Sequence, residues 1–327
     1  MKRAYYSLWI LGIVFLLSLV SEFIANDKPL YLRFQGKSYA PVLFFYSDQT
    51  FGGRYKTEAD YLALKEDEQF IKEGFMIFPL IPHSPLHSYL DIDEAPPHPP
   101  SGTHWLGTDA VARDVLARLL YGFRICMVFA LSLMAISAVL GVIIGGVQGY
   151  LGGKVDIVVQ RLIEIWSSLP FLYVVILVGS IYGSSFILLL LIMVIFQWIG
   201  LSYYMRGEFF KLKNMTYVKA AKTLGTGPVR ILFQQILPNA LTPVITIMPF
   251  SLIAGITALT ALDFLGFGLP PPMPSWGELL SQGLNNLYAP WIAVSTVAAL
   301  FATLLLATFI GEGVREAFDP RAEYRIE

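Results

Sequence analysis

Six long apolar runs set the rhythm of this chain: Tyr5–Ala25, Ile125–Tyr150, Ile163–Tyr182, Ser184–Met205, Ala240–Ala261 and Trp291–Gly311. Each is long enough, at 1.5 Å per helical residue, to cross a hydrocarbon layer about 30 Å thick. Glu22 and Glu164 are their only charges, and both lie near run ends. The pattern predicts six membrane-spanning helices. Lys2 and Arg3 ahead of the first run would also suit a cleaved signal peptide. The run is long for that, and Phe23-Ile24-Ala25 puts bulk where a cleavage site needs small residues, so an uncleaved anchor is expected.

Between the first two runs the pattern changes. Tyr31-Leu32-Arg33-Phe34 alternates, Gln35-Gly36-Lys37 can turn, and Ser38–Phe45 can return as a second strand. Thr57 and Asp60 resemble a capping box opening a helix, and Gly74 stands where a terminal glycine would close it. Pro79–Pro100 is proline-rich and reads as extended. Thr108 or Asp109 is expected to cap an amphipathic interfacial helix with Val111, Val115 and Leu119 on one face.

Charge sharpens this division. The chain has 327 residues, 55% hydrophobic and only 14% charged, about half the charge of a soluble domain. Of its 23 basic and 24 acidic residues, 23 fall between Asp27 and Arg124. The short segments at one set of run ends hold thirteen positive charges: Lys2, Arg3, Lys154, Arg161, Arg206, Lys211, Lys213, Lys219, Lys222, Arg230, Arg315, Arg321 and Arg325. The opposite short loops hold none, so both termini are expected inside and the polar insert outside. A net charge of −1 offers no basic face for nucleic acid. Cys126, the single cysteine, excludes an intramolecular disulfide or a multi-cysteine zinc site.

Catalytic and nucleotide motifs fail on inspection. Gly36-Lys37-Ser38 lacks the earlier glycine of a phosphate-binding loop, because position 31 is Tyr31. No catalytic, cofactor or metal residue is expected. His83, His87, His98 and His104 read as solvated loop residues, since Pro85 prevents a helix from pairing His83 with His87. Gly141, Gly145 and Gly149 line one helix face and permit close packing, within this chain or against a partner. Pro170, Pro243 and Pro249 should kink their spans.

The segment 206–239 is the most informative. Tyr217, Ala220, Ala221 and Leu224 fall on one face of a short helix, Gly225-Thr226-Gly227 breaks it, and Pro228 suits the first turn of a second helix that Pro238 closes. An amphipathic hairpin between spans must cover its apolar stripe with either a membrane surface or a groove on a cytoplasmic protein.

Val218-Lys219-Ala220-Ala221-Lys222-Thr223-Leu224-Gly225, followed by Gln235-Ile236-Leu237-Pro238, resembles the E-A-A-x-x-x-G…I-x-L-P loop of binding-protein-dependent ABC importer permeases. Lys219 and Gln235 depart from the family residues; Ala220, Ala221, Gly225, Leu237 and Pro238 match. Leu106-Gly107-Thr108-Asp109…Arg113-Asp114-Val115-Leu116…Arg118-Leu119-Leu120-Tyr121-Gly122 is similar to dipeptide and oligopeptide permeases, with Ala112 at a usual glycine. So are Phe264-Leu265-Gly266-Phe267-Gly268…Pro274-Ser275-Trp276-Gly277-Glu278, an outer-mouth loop with Ser275 and Glu278 as a capping box, and Gly311–Ala317 with Asp319-Pro320. The enlarged insert suggests the subgroup associated with oligopeptides and the peptide-nucleotide antibiotic microcin C.

The resemblance implies an all-α polytopic membrane protein with six transmembrane helices of the type I importer kind and a small mixed α/β extracytoplasmic insert. Residues 1–25 would be the anchor, 26–123 the insert, 124–315 the permease domain with coupling loop 206–239, and 316–327 a cytoplasmic tail. It implies a bacterial inner-membrane location, a second homologous permease, a cytoplasmic ATPase carrying ATP and magnesium, a periplasmic peptide-binding protein, surrounding lipid and a peptide substrate. A secondary transporter is the rival reading, but no charged residue lies mid-run as ion coupling commonly requires.

Overall fold

The computed structural model describes residues 2–90 and 94–318. Asp319, Pro320, Arg321 and Arg325 lie outside them. The chain forms α1 (Lys2–Leu19), β1 (Tyr31–Phe34), β2 (Lys37–Tyr39), α2 (Tyr61–Glu66), α3 (Glu68–Glu73) and β3 (Gly74–Ile77). There follow α4 (Val115–Leu151), α5 (Gly153–Ser167), α6 (Phe171–Tyr182), α7 (Phe186–Leu212), α8 (Thr216–Thr223), α9 (Pro228–Ile231), α10 (Leu237–Phe264), α11 (Trp276–Asn285) and α12 (Pro290–Ala317). Two compact units emerge: residues 1–12, 126–270 and 301–327, and residues 13–125 with 271–300.

Among the described residues five helical stretches are long and apolar enough to cross a membrane: α1, α4, α7, the continuous run Pro228–Phe264, and α12. The sixth expected span is broken. α5 and α6 meet at a 71° bend, because Pro170 cannot donate into a continuing helix. They make a sixth span only if the bent pair crosses as one. Large apolar side chains such as Leu8, Trp9, Leu16, Ile143, Leu177, Ile187 and Phe301 remain exposed, which is tolerable where the solvent is hydrocarbon.

The insert contains the sheet foreseen at Tyr31, with one added strand. β1 pairs antiparallel with β2 and with β3, in the order β2-β1-β3. Leu32, Phe34, Phe51, Ala59, Tyr61 and Phe70 form its core, and Phe34 stacks on Phe70 with centroids 5.4 Å apart. β2 stops at Tyr39 rather than running to Phe45. Asp60, not Thr57, caps α2, its carboxylate accepting from the Leu62 and Ala63 amides. Gly74 directly follows the last residue of α3, as expected of a helix-ending glycine, and also opens β3; a Cβ there would lie 2.5 Å from the Phe70 ring.

The largest correction precedes α4. No separate interfacial helix forms at residues 108–114. Asp109 accepts from the amides of Val111 and Arg113, Ala112 takes φ +61°, and Asp114 caps a helix that then runs unbroken to Leu151. The left-handed residue stops helical bonding before Asp114 can start it. α1 also ends earlier than its apolar run: Ser21–Phe23 tighten into a 3₁₀ turn, and Ser18 and Ser21 donate back to backbone carbonyls.

Candidate functional site

The α8–α9 hairpin is built by two terminators. α8 closes in a Schellman motif: Gly225 N–H donates to the Lys222 carbonyl, Thr226 N–H donates to that of Ala221, and Gly225 has φ +78°. Gly227 then flanks α9, with Pro228 in its first turn. Pro238 does not close the second helix. Leu232–Ile236 forms a π turn, and the helix continues into α10 with Pro238 near its start. The wider turn makes room for a proline ring that would otherwise meet a preceding carbonyl. Asn239 Nδ2 donates to the Gln235 carbonyl at 2.8 Å within it.

The hairpin has two apolar faces. Val218, Ala221, Ile231 and Ile236 face inward and form one core with Met205, Phe209 and Leu212 of α7 and Ala240 and Val244 of α10. Ala221 thus leaves the stripe expected for it. Tyr217, Ala220 and Leu224 face out, Leu224 being 85% exposed, and Val229 and Phe233 add two further exposed apolar side chains. Val229 and Phe233 were missed in the sequence, though their i, i+4 spacing was the available signal. Lys219 is exposed and Leu237 half-buried.

α7 fits against the glycine face of α4. A Cβ on Gly145 would lie 2.3 Å from the Ser202 carbonyl oxygen, one on Gly149 2.5 Å from that of Arg206, and one on Gly141 2.9 Å from Leu201 Cβ. Arg206 grips Asp156 of α5 with two hydrogen bonds, and Lys213 Nζ donates to the Gly149 carbonyl at 2.7 Å, near the C-terminus of α4. A cavity of about 200 Å³ lies among α4, α7 and α10, with Ser137, Gln197, Tyr204 and Ser251 as its polar lining.

The residues expected at an outer mouth divide between the units. Gly266, at φ +79°, ends α10 in a second Schellman motif, and Gly268 is buried tightly against Asp263. In the other unit Ser275 caps α11, accepting from the Glu278 amide at 3.2 Å, with Pro274 and Gly277 buried around it. Trp276 is buried and donates to the Leu119 carbonyl at 3.0 Å. Glu278 accepts from Arg113 at 2.8 Å and from Arg118 at 2.5 Å, while Asp109 accepts from Arg113 Nε at 2.8 Å. Arg118 is fully buried and also donates to the Pro85 carbonyl. Two carboxylates and two guanidinium groups therefore neutralise one another inside the fold.

The histidine reading is overturned. His83, His98 and His104 are buried, not solvated. The His83 and His104 rings stack with centroids 4.2 Å apart, and His104 Nδ1 lies 2.8 Å from Asp114 Oδ2. Burial first, and His104 second, hold the His83 imidazole below its ordinary pKa. Proximity across 21 and 31 residues of chain left no signal in local spacing.

The fold is that of a helical membrane protein whose α8–α9 hairpin packs on its own long helices yet keeps an open apolar face. Residues 137–324 match the binding-protein-dependent transport system inner membrane component family, and the chain belongs to it. It is similar to the peptidoglycan transport system permease YejE of Agrobacterium fabrum, 43% identical over 99% of this chain and 91% of that protein. Similarity to the inner membrane ABC transporter permease YejE of Escherichia coli is 46% over 98% of this chain and 94% of that protein. An oligopeptide transport permease, OppC of Haemophilus influenzae, is 37% identical over 67% and 71%. The solved MetNI methionine ABC transporter is a distant likeness, 15% identical with a TM-score of 0.49 over 62% of this chain and 96% of that one. Family membership makes the chain the permease component of an ABC importer, with ATPase and substrate-binding protein as partners and hydrolysis in the former.

Proposed function

We propose that this chain is one of two permease subunits of an ATP-driven importer of oligopeptides or peptide-like compounds, and that its α8–α9 hairpin receives the motion of the ATPase. The observation that carries this reading is the pair of apolar faces on the hairpin, the inner one continuous with the core of α7 and α10 and the outer one open. A groove on the ATPase would cover Tyr217, Ala220, Leu224, Val229 and Phe233, and its closure would push α7 and α10 directly. ATP and magnesium would act in that partner. In this reading the bent α5–α6 pair completes six spans, both termini lie in the cytoplasm, and the insert faces the periplasm, as the thirteen positive charges favour.

Peptide cargo is supported by the relatives named for oligopeptide and peptidoglycan transport. Microcin C-like compounds share the peptide chemistry and fall within the same proposal. The uncharged polar lining of the α4–α7–α10 cavity suits peptide amides, which need hydrogen-bond partners.

The test is a Leu224→Asp substitution in the assembled transporter. A buried charge in the docked face should weaken ATPase co-purification by roughly 30-fold, the equivalent of about 2 kcal/mol at an interface hot spot. Uptake of labelled peptide should fall with it while membrane insertion stays normal. Unchanged co-purification and uptake would remove the hairpin from the docking surface.

A further inference from the structure

The insert holds a buried donor cluster with no part in the transport reading. His83, His104 and Asp114 each offer a ligand atom, all within 4.8 Å of one another, and all three residues are buried. His83 Nε2 lies 3.0 Å from the Thr103 carbonyl oxygen. A carbonyl only accepts, so Nε2 carries the hydrogen and Nδ1 presents a lone pair. That Nδ1 is buried and has no hydrogen-bond partner, a costly state for a polar atom unless something binds it. Asp114 divides its carboxylate: Oδ1 accepts from the Ala117 amide at 2.8 Å to cap α4, and Oδ2 turns to His104.

We propose that His83, His104 and Asp114 bind a divalent transition-metal ion, with zinc the best match. Two imidazole nitrogens and one carboxylate oxygen are a zinc-type set, whereas calcium and magnesium prefer oxygen alone. Tetrahedral zinc with bonds of about 2.0–2.2 Å needs donors roughly 3.4 Å apart. His104 Nδ1 and Asp114 Oδ2 are already closer than that, and the widest separation, up to 4.8 Å, needs a shift of no more than about 1.4 Å. The Thr103 carbonyl holds the His83 ring by its other nitrogen, the orienting contact that metal-bound histidines use. Three protein donors leave the fourth position to water. The ion would fasten the loops carrying His83 and His104 to the first turn of α4.

The full-length chain, purified in detergent without a polyhistidine tag, is stripped with a chelator, exposed to zinc chloride, desalted and assayed for metal. The wild type should retain about one zinc per chain. His83→Gln, which leaves the Asp114 cap in place, should lose most of it, and His98→Gln, buried outside the cluster, should keep it. Zinc should also raise the thermal midpoint of the wild type and leave that of His83→Gln where it was. A stripped wild type that regains no more zinc than His83→Gln overturns the site. So does a zinc-induced shift in midpoint of equal size in both.

Discussion

Ala112 occupies a left-handed position, φ +61°, and is fully buried. Glycine would relieve about 1 kcal/mol of strain there but forfeit a buried methyl of similar worth. Ala112→Gly should therefore leave thermal stability within about 1 kcal/mol of the wild type, whereas the same change in a helix interior costs that much outright. Ala112→Val should be far worse, because a β-branched side chain rarely tolerates this conformation. Gly225 poses the same backbone demand in open space, since a Cβ added there would meet nothing within 4 Å. Gly225→Val should thus act by distorting the hairpin turn rather than by a clash: peptide uptake falls, and the amount of inserted protein does not. Equal uptake by Gly225→Val and wild type would show that the turn geometry is dispensable.

At the scale of elements, α4 and α7 depend on three missing side chains. Gly145→Leu would drive its Cβ to 2.3 Å from a backbone oxygen that cannot move without α7. Overpacking of that kind costs about 1–3 kcal/mol or more, so the variant should lose thermal stability in detergent while Gly12→Leu, where space is open, should not. The glycine spacing was legible because a helix repeats every 3.6 residues and three small residues on one face have few other uses. The Pro170 break was legible as a kink, yet not its 71° size, which no local pattern encodes. Pro238 misled for a related reason. A proline ends a helix only if the turn before it stays α, and the π turn at Leu232–Ile236 is an adjustment that tertiary packing of Ile231 and Ile236 stabilises. Strand β3 went unseen because Gly74-Phe75-Met76-Ile77 follows a helix directly and its alternation is only four residues long.

For the molecule as a whole, the sequence pattern disclosed five long apolar helices and the hairpin, while the buried polar groups stayed hidden. Arg118 illustrates why. A sequence shows an arginine on a helix and suggests a solvated face, whereas its burial depends on Glu278, 160 positions away. Glu278→Ala would leave Asp109 as the one carboxylate facing both guanidinium groups and should cost about 3–5 kcal/mol. Glu278→Gln keeps one acceptor oxygen for an arginine but turns an amide NH2 toward the other and loses the charge, and should fall between. Thermal unfolding of the three proteins in detergent measures the order; a Glu278→Ala midpoint equal to that of wild type would show the quartet to be solvated. The thirteen positive charges that suggest topology and the four charges of this quartet thus serve unlike purposes, the latter neutralising one another, with Asp109, Arg113 and Arg118 buried.

Helix continuity from Pro228 to Phe264 has a mechanical consequence. Thirty-seven residues at 1.5 Å each make about 55 Å of helix with no loop to absorb rotation, although Pro243 and Pro249 lie within it. A tilt of about 5° imposed at its docking end would swing the far end by roughly 5 Å, close to one helical turn. The π turn sits near the fulcrum, so lengthening the helix by one residue after Phe233 would leave the docking face intact and rotate everything beyond it by about 100°.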